Sequence, residues 1–408
     1  MNYFYNNNNN IYNNSINNSD KIKLIYNSDK YWIKVWNKID KSSKEIFIIT
    51  YDMDNSLLAN LTLHKLINAA ERGVKIYLIV EEINFFMKKN LISKLKEKGG
   101  IILKPNDFKS NLKKFNFFKI FNRFHNKLKL IDNDLFIGSL NCNDNYANYY
   151  GKNKFIDLNF YVKNTICKNK IINFFKNIIL NNIKGIYPKN KRKDVQNLFN
   201  NNIFINNENN NNNENFLIES FKSNEISNEI IKSFSKAKKK ITIIQSYYMN
   251  FPKIEKILLN LLKNGVEIEI ITAKFRDPIP LKLYKNEILF ENLIKNGAKV
   301  YEYLDKSFHC KVYNIDNKII NLGSFNHDII SLWFNNECNY LVKKNEKNKF
   351  LFEKFEEIKN EMIKNSKRVL IKKNNNNNYK FIFKFGYITI NYFLFSIGKL
   401  LGNSNKLF

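Results

Sequence analysis

The 408-residue sequence has only 4 cysteines, and no two of them form a Cys-x-x-Cys pair. Neither a cysteine-paired zinc site nor a disulfide framework is therefore indicated. The stretch from Met1 to Asn18 lacks the basic and apolar segments of a secretory signal, and it contains no arginine, which disfavours a transit peptide. Hydrophobic residues make up 44% and charged residues 25%, so neither a wholly disordered chain nor a multi-span membrane protein fits.

Acidic residues are few relative to basic ones. The chain has 67 Lys and Arg against 37 Asp and Glu, a formal net charge of +30. Such a charge favours an anionic partner: nucleic acid, acidic lipid or a phosphorylated substrate. Arginine itself is scarce, however, and the enrichment in Lys, Asn, Ile, Phe and Tyr is what an A+T-rich coding sequence produces regardless of function. Charge alone therefore does not choose among these partners.

Runs of asparagine divide the chain. Such runs cannot bury enough apolar surface to order themselves, so they predict tails, linkers or surface loops. We expect a disordered tail over 1–21, a first domain over 22–185, an Asn-rich linker over 186–222, a second domain over 223–365 and a C-terminal apolar segment over 366–408 that associates with a membrane.

The two predicted domains show the same order of elements. In the first, strands over 45–51 and 74–80 flank a helix near 57–70, and a helix near 87–98 leads to a strand over 100–103. In the second, strands over 240–247 and 266–272 flank a helix over 254–262, and a helix near 283–296 leads to a strand over 297–303. This alternation predicts an α/β fold with two pseudo-symmetric lobes, each a mixed sheet flanked by helices, and an internal duplication explains it most simply.

A spaced pattern of polar residues also occurs twice. It reads His-x-Lys, then Asp, then Gly-Ser-x-Asn, and the copies are offset by 184 residues in the first part and 185 in the second. The first copy consists of His125, Lys127, Asp132, Gly138, Ser139 and Asn141, and the second of His309, Lys311, Asp316, Gly323, Ser324 and Asn326. The chain has only 4 histidines, so two of them in equivalent positions indicate a shared role.

These residue types suit phosphate chemistry. Positions i and i+2 of a strand face the same side, so each His would project with its Lys. Imidazole can act as a nucleophile or a general acid and base near neutral pH, and an ammonium group binds phosphate oxygens. The Ser hydroxyl and Asn amide add neutral donors. If the two copies converge, they form one phosphate site with two imidazoles, and these residues require neither a metal nor a cofactor.

The paired motifs resemble those of the phospholipase D superfamily. The sequence from Phe121 through Asn141, the segments at 149–151 and 155–157, and the segment 297–303 leading into His309 are similar to bacterial-type cardiolipin synthases. The resemblance covers roughly residues 22–400. It implies two lobes that share one active-site cleft.

The resemblance also implies roles for the residues. One motif His would attack the phosphodiester to give a phosphatidyl-histidine, and the other would protonate the departing alcohol and then activate the acceptor. The phosphate would be held by the two Lys and the two Asn residues of the motifs, with Ser139 and Ser324 in support. We group Asp132 and Asp316 with the catalytic motif, although the motif Asp tends to be structural in this superfamily. Glu337, and with less regular spacing Asp157, match the acidic residue that hydrogen-bonds a catalytic His.

The function implied is cardiolipin synthesis from phosphatidylglycerol, with a second phosphatidylglycerol or another lipid alcohol as acceptor. Two alternatives stay open: a phospholipase D that hydrolyses phospholipids, and a phosphodiesterase or nuclease of the same superfamily. The expected partners are an anionic phospholipid and a membrane surface, with no nucleic acid. The location implied is a mitochondrial membrane in a eukaryote or the cytoplasmic membrane in a bacterium.

Three further features have plainer interpretations. We expect His327 to be a packing or surface residue, His64 to be structural, and Cys310 to be a small core residue facing away from the site. The apolar stretch 381–401 contains Lys384 and Lys399, and its charge-free part is too short to span a bilayer comfortably, so an interfacial element is favoured over a spanning helix or a helix packed on the body.

Overall fold

The computed structural model describes residues 22–105, 123–147, 156–181, 215–220, 224–249, 251–274, 286–304 and 308–371. Within these ranges the chain forms two sheets with helices packed on them. The expected N-terminal tail, most of the expected linker, and the apolar stretch 381–401 lie outside the described residues.

The first sheet has seven strands. In chain order these are β1 (Ile22–Asn27), β2 (Glu45–Thr50), β3 (Lys75–Val80), β4 (Ile101–Leu103), β5 (Leu128–Ile131), β6 (Asp134–Gly138) and β7 (Ile156–Val162). Their order across the sheet is β1-β7-β6-β5-β2-β3-β4. The strands β2, β3 and β4 are parallel to one another, whereas the other neighbours pair antiparallel, so the sheet is mixed.

Four helices accompany this sheet: α1 (Ser28–Lys41), α2 (Leu57–Glu71), α3 (Lys89–Glu97) and α4 (Lys168–Asn181). The side chain of Asn27 caps α1 by accepting a hydrogen bond from the Lys30 backbone N–H at 2.9 Å. The buried side of α1 carries Trp32 and Trp36, which pack with α2, and the Trp36 indole donates to Thr62 Oγ1 at 3.0 Å. The helix α2 stops before Gly73, whose φ of +88° suits glycine alone.

The second sheet repeats this plan with eight strands. These are β8 (Asn215–Ser220), β9 (Lys240–Gln245), β10 (Glu267–Ala273), β11 (Lys299–Tyr303), β12 (Lys311–Ile315), β13 (Ile319–Gly323), β14 (Glu337–Lys343) and β15 (Ser366–Arg368). Their order is β15-β11-β10-β9-β12-β13-β14-β8, with β9, β10 and β11 parallel. The accompanying helices are α5 (Asn224–Ser235), α6 (Pro252–Lys263), α7 (Asn286–Leu289), α8 (Glu291–Lys295), α9 (Ile329–Trp333) and α10 (Lys349–Lys364).

The predicted α/β architecture with two mixed sheets is confirmed, and three details differ. The region expected to be linker ends in a strand, because β8 (Asn215–Ser220) finds a free edge to pair with on β14. The segment expected to be C-terminal and apolar begins with β15 (Ser366–Arg368), which pairs with the edge strand β11. The helix expected near 283–296 is divided into α7 and α8 at Phe290.

One hydrophobic core joins the two sheets. It contains buried residues of β2, β5, β6 and β7 together with residues of β12, β13, β14 and α10. The ring of Phe160 on β7 meets the ring of Tyr340 on β14 edge to face, with centroids 6.0 Å apart. This shared core brings the ends of the two motif-bearing hairpins, β5–β6 and β12–β13, next to each other.

Among the helices of the described ranges, none combines the length and the apolarity that crossing a bilayer requires.

Candidate active site

The motif histidines lie just before an inner strand of each sheet. Lys127 directly precedes β5 and Lys311 is the first residue of β12, while both histidines stand before the strand proper. The expectation that His and Lys share one strand is therefore wrong, since of the four residues only Lys311 lies on a strand. Each ammonium Nζ donates to the backbone carbonyl of its own motif histidine at 2.8 Å. His125 and His309 are 8% and 9% exposed, so each retains a small opening to solvent.

The Gly-Ser-x-Asn segments begin at the last residues of β6 and β13. A Cβ atom on Gly138 would stand 1.9 Å from Asn159 Oδ1, and one on Gly323 would stand 2.2 Å from Asn339 Oδ1. Only glycine permits this approach of neighbouring strands. The close packing places the serine that follows each glycine against a strand that carries an acidic residue at its start, Asp157 on β7 or Glu337 on β14.

His125 is held by a carboxylate. Its Nδ1 lies 2.8 Å from Glu337 Oε1 and 3.0 Å from Oε2. Three further donors bind this carboxylate: Ser324 Oγ at 2.5 Å, Ser331 Oγ at 2.7 Å and Asn335 Nδ2 at 3.2 Å. Burial on its own raises the pKa of Glu337, but His125, Lys127 and the hydrogen bond from Ser324 hold that pKa below its usual value. An ionised Glu337 fixes a proton on His125 Nδ1 and leaves Nε2 as the free base.

His309 has a different set of neighbours. Its Nδ1 lies 3.1 Å from the Ser139 carbonyl oxygen and 3.9 Å from Asp157 Oδ2. The hydroxyl of Ser139 donates to Asp157 Oδ1, and the Leu158 backbone N–H donates to the same oxygen at 2.7 Å. Burial raises the pKa of Asp157 to about 6, against the opposing charge of Lys311. This carboxylate is therefore a weaker partner for its histidine than Glu337 is for His125.

Each acidic residue faces the histidine of the other half. Glu337 lies in the second half and contacts His125 of the first, while Asp157 lies in the first half near His309 of the second. The backbone reinforces this exchange, because the His125 N–H donates to the Asn336 carbonyl at 3.0 Å and the Asn336 N–H donates to Arg123 at 2.7 Å. The two motif copies therefore build one cluster, to which both halves contribute.

Burial shifts the titration of the whole cluster. It lowers the pKa of Lys127 to about 7 and that of Lys311 to about 8, although neighbouring carboxylates oppose the shift. Burial also lowers the pKa of His125 to about 4 in spite of Glu337, and burial with Lys311 and Lys127 places the pKa of His309 well below its usual value. Both imidazoles are thus neutral at pH 7, and an added anion would favour the protonated forms.

The two motif asparagines have unused hydrogen-bonding capacity. Asn141 Oδ1 and Asn326 Oδ1 are buried and accept no hydrogen bond from the described residues. The Asn141 amide nitrogen donates to the Tyr146 hydroxyl at 2.9 Å. An amide can be turned by 180° to exchange its donor and its acceptor. Each of these asparagines can therefore offer a bound ligand either a hydrogen-bond donor or a hydrogen-bond acceptor.

Asp132 and Asp316, which we grouped with the catalytic motif, lie at the opposite ends of their hairpins. Both have positive φ, 52° and 54°, at the turns that join β5 to β6 and β12 to β13. Asp132 accepts the backbone N–H groups of residues 43, 44 and 45, and Asp316 accepts those of residues 238, 239 and 240. Burial alone would raise the pKa of Asp316, but these N–H donors lower it. The structural role that the resemblance gives these residues fits, and the catalytic grouping is corrected.

Of the other singled-out residues, the two histidines lie outside the reacting cluster. His327 is buried, stacks on Tyr248 with ring centroids 4.4 Å apart, and bonds Tyr313 through Nδ1 at 3.0 Å. His64 lies on the exposed side of α2. Cys310 is fully buried in the shared core, as expected, but its side chain hydrogen-bonds Asp157, so it does not face away from the site.

Three residues that the motif pattern did not identify complete the site. Tyr51 follows β2 and sets its ring 4.8 Å from His125, and Tyr146 sets its ring 5.3 Å from His309. Asp52 is hydrogen-bonded by the Asn143 amide, and burial with the nearby Asp54 raises its pKa to about 6 against the charge of Lys127. The sequence could have indicated them by position, because Tyr51 and Asp52 directly follow a parallel strand and Tyr146 follows the Gly-Ser-x-Asn segment.

Comparisons with known proteins agree with this geometry. The family described as cardiolipin synthase, PLD-like domain, matches residues 35–179 and 230–359. Cardiolipin synthase A of Buchnera aphidicola subsp. Acyrthosiphon pisum (strain Tuc7) is 25% identical over 343 residues, which cover 82% of this chain and 68% of the relative. Cardiolipin synthase B of Salmonella typhi is 23% identical over 337 residues, with 79% and 76% covered, and cardiolipin synthase of Clostridium perfringens (strain SM101 / Type A) is 27% identical over 346 residues, with 82% and 69% covered.

Solved structures share the fold. Phosphatidylserine synthase of Haemophilus influenzae Rd KW20 superimposes with a TM-score of 0.65 at 15% identity and covers 95% of each chain. Polyphosphate kinase of Porphyromonas gingivalis gives a TM-score of 0.54 at 14% identity, covering 90% of this chain and 53% of the kinase. At these identities the likeness concerns the two-lobed architecture alone.

Proposed function

The chain belongs to the cardiolipin synthase, PLD-like domain family and is an enzyme, a phosphatidyltransferase, and we propose that it transfers a phosphatidyl group from one phosphatidylglycerol to a second, releasing glycerol. The observation that carries the proposal is the pair of buried imidazoles, each beside a motif lysine and each facing a carboxylate of the other half. Two imidazoles in one cluster suit a transfer that proceeds in two steps.

We assign the nucleophile to His125. Glu337 accepts the proton on Nδ1 at 2.8 Å, which leaves the Nε2 lone pair available and stabilises the cation that forms when Nε2 bonds to phosphorus. Among the described residues, the carboxylate that pairs with His309 is Asp157, and its Oδ2 is 3.9 Å from His309 Nδ1. The asymmetry between the two carboxylates therefore favours His125 as the attacking group.

In the first step Nε2 of His125 bonds to phosphorus and the bond from phosphorus to the glycerol oxygen breaks. His309 donates a proton to that oxygen, so glycerol leaves as the neutral alcohol. In the free protein the pKa of His309 is low because of burial and the neighbouring lysines. The negative phosphodiester offsets the lysine charges when it binds, which raises that pKa and loads His309 with the proton it must give.

In the second step neutral His309 takes the proton from a hydroxyl of the acceptor lipid. The hydroxyl oxygen bonds to phosphorus while the bond from phosphorus to His125 Nε2 breaks, which regenerates the free histidine. Because the bond formed resembles the bond broken, the acceptor must outcompete water rather than supply a large driving force. The near-complete burial of both histidines supports transfer over hydrolysis.

The remaining motif groups hold the phosphate. Lys127 and Lys311 supply the positive charge for its non-bridging oxygens, and Asn141 and Asn326 supply neutral donors. Ser139 and Ser324 act through the carboxylates to which they donate. We place this reaction at a membrane surface, where the phosphatidylglycerol resides.

Mass spectrometry of lipids tests the proposal. Purified protein is incubated with phosphatidylglycerol in mixed micelles, beside the variants His125→Ala and His309→Ala. Cardiolipin and free glycerol from the wild type, absent in both variants, support the synthase. Phosphatidic acid alone identifies a hydrolase, and no lipid turnover contradicts the lipid function and directs the search to single-stranded nucleic-acid cleavage.

A second experiment tests the roles of the two histidines. A short-chain phosphatidyl donor with a p-nitrophenol leaving group needs no proton for departure. With this donor His309→Ala should release a burst of p-nitrophenolate and retain a phosphatidyl adduct on His125, whereas His125→Ala should do neither. A burst from His125→Ala and none from His309→Ala would reverse the assignment.

A further inference from the structure

The topology defines a catalytic end of the molecule. In each lobe the inner parallel strands, β2 and β3 in one and β9, β10 and β11 in the other, run toward the histidines. Tyr51, directly after β2, contacts His125, and Glu81, directly after β3, accepts hydrogen bonds from Arg123 and Phe124. The segments that follow these strands therefore form the rim of the cleft.

Exposed apolar side chains are concentrated on this rim. Eight large hydrophobic residues are exposed in the described part of the chain, and five of them lie at the catalytic end: Leu57, Ile83, Phe86, Leu304 and Ile330. Of the other three, Ile166 and Leu370 lie at the opposite end of the strands and Ile33 lies along α1. Single exposed apolar residues are ordinary, but a group around one opening marks an interaction surface.

The most exposed member of the rim is held outward by a fixed backbone. Phe86 is 66% exposed, while its neighbours Phe85 and Met87 are buried. The Phe86 N–H donates to the Met53 carbonyl at 3.1 Å, and the Met53 N–H donates to Asn84 at 3.1 Å. The same segment of chain is joined to the site, because Met53 also bridges to Cys142 next to Asn141. The exposure of Phe86 is thus built into the scaffold of the active site.

Positive charge accompanies the apolar rim. Lys88 and Lys89 stand at the start of α3, and Lys104 follows β4, which runs parallel to β3 toward the same end. All three are exposed, and Lys104 lies 4.7 Å above the ring of Phe85. Three acidic residues, Asp54, Glu82 and Asp144, also lie at this end. Asp54 and Glu82 are half-buried, and the Asp144 carboxylate oxygens accept the backbone N–H groups at the start of α2. Apolar side chains flanked by lysines match the interface of an anionic bilayer.

We propose that this rim is the membrane-docking surface, and that it seats the mouth of the cleft directly on an anionic phospholipid bilayer. The inference rests on the proposed function, because a two-tailed lipid can present its phosphodiester to His125 and His309 while its acyl chains stay in the bilayer only if the mouth meets the membrane. The surface is made of residues other than the C-terminal apolar stretch, and it orients the enzyme whatever else attaches the chain.

Environment-sensitive labels test the orientation. The 4 cysteines are all buried, so a nitrobenzoxadiazole label can be directed to a single introduced thiol. Phe86→Cys and Leu304→Cys place the label on the rim, and Ile166→Cys and Leu370→Cys, matched in exposure, place it at the opposite end. The probe is a vesicle of equal parts phosphatidylglycerol and phosphatidylcholine, with and without a spin-labelled lipid.

If the rim docks on the bilayer, vesicles shift the fluorescence emission of the rim labels to shorter wavelength, and the spin-labelled lipid quenches it. The emission of the labels at the opposite end neither shifts nor is quenched. Equal responses at both ends, or a response only at the opposite end, overturn the proposal. This readout needs no turnover and is independent of any other membrane attachment, so it stands or falls separately from the cardiolipin assay.

Turnover supplies the second measurement. Phe86→Ser should reduce turnover of vesicle phosphatidylglycerol about tenfold, the effect of withdrawing one partly inserted apolar side chain, and leave turnover of monomeric dihexanoyl phosphatidylglycerol within about twofold. The control Ile166→Ser should change neither. A parallel loss on both substrates would assign Phe86 to the fold rather than to docking and contradict the proposal, whereas failure of the wild type on the monomeric substrate would contradict the proposed function.

Discussion

Replacing Glu337 with glutamine tests the asymmetry between the two histidines most directly. Glutamine keeps the size of the side chain but removes the charge that accepts the His125 Nδ1–H at 2.8 Å. A hydrogen bond to a charged group contributes about 1.5–3 kcal/mol, so formation of the phosphatidyl-histidine should slow about 10- to 100-fold. The imidazolium character that develops at His125 would then lack its counter-charge.

The assay is the burst of p-nitrophenolate from the activated short-chain donor, which isolates the first step from proton donation by His309. Glu337 also raises the pKa of His125 against the larger effect of burial. Its removal should therefore lower that pKa below about 4 and move the acid limb of the burst rate to lower pH. A merely structural defect would leave the position of that limb unchanged.

Two controls make the result interpretable. Glu269→Gln alters another buried carboxylate, which lies on β10 away from the site and 2.9 Å from the Nζ of Lys240. This variant should leave the burst rate unchanged. Asp157→Asn should affect the second step, in which His309 activates the acceptor, more than the burst. A burst rate of Glu337→Gln within about threefold of the wild type, well short of the loss expected from a charged hydrogen bond, would refute the assignment of His125.

Three further predictions concern the scaffold. Burial lowers the pKa of Lys129, whose Nζ bonds the Tyr31 hydroxyl at 3.1 Å, to about 8. A folded pKa below the unfolded one makes stability rise with pH, so urea unfolding of Lys129→Met should show a rise between pH 7 and 10 that is about 2–3 kcal/mol smaller than that of the wild type. Asp316→Asn weakens the turn at three backbone N–H groups and should cost about 1–3 kcal/mol of unfolding free energy above about pH 4. The difference from wild type should vanish as pH falls from there through the lowered folded pKa of Asp316, with burst kinetics unchanged. Gly138→Ala forces a Cβ to within 1.9 Å of Asn159 Oδ1 and displaces Ser139, which acts through Asp157 on His309. It should reduce both the melting temperature and cardiolipin turnover; unchanged turnover would show that the strands can separate without displacing the serine that follows.

Much of this molecule is determined by local sequence. The parallel strands are largely apolar runs such as EIFIIT in β2 and KITIIQ in β9, and they form where the pattern predicts. The repeated motif places both histidines and both lysines in one reacting cluster because the order of elements is duplicated. Local pattern fails at Asn215–Ser220, where an Asn-rich context hides a strand that forms only because β14 offers an edge.

Tertiary structure decided which partners these residues have. Spacing identified Glu337 and Asp157 as acidic residues near a histidine, but the packing of the two sheets on a shared core gives each of them the histidine of the other half. The same packing makes the two histidines unequal. Glu337 Oε1 lies 2.8 Å from His125 Nδ1, whereas Asp157 Oδ2 lies 3.9 Å from His309 Nδ1. Asp132 and Asp316 lie away from the histidines because each stands at the turn of its hairpin, one strand length from the motif His. The sequence specifies chemistry through residue types and their local spacing. The distances between residues that are far apart in the chain depend instead on how the sheets pack, which no local pattern encodes.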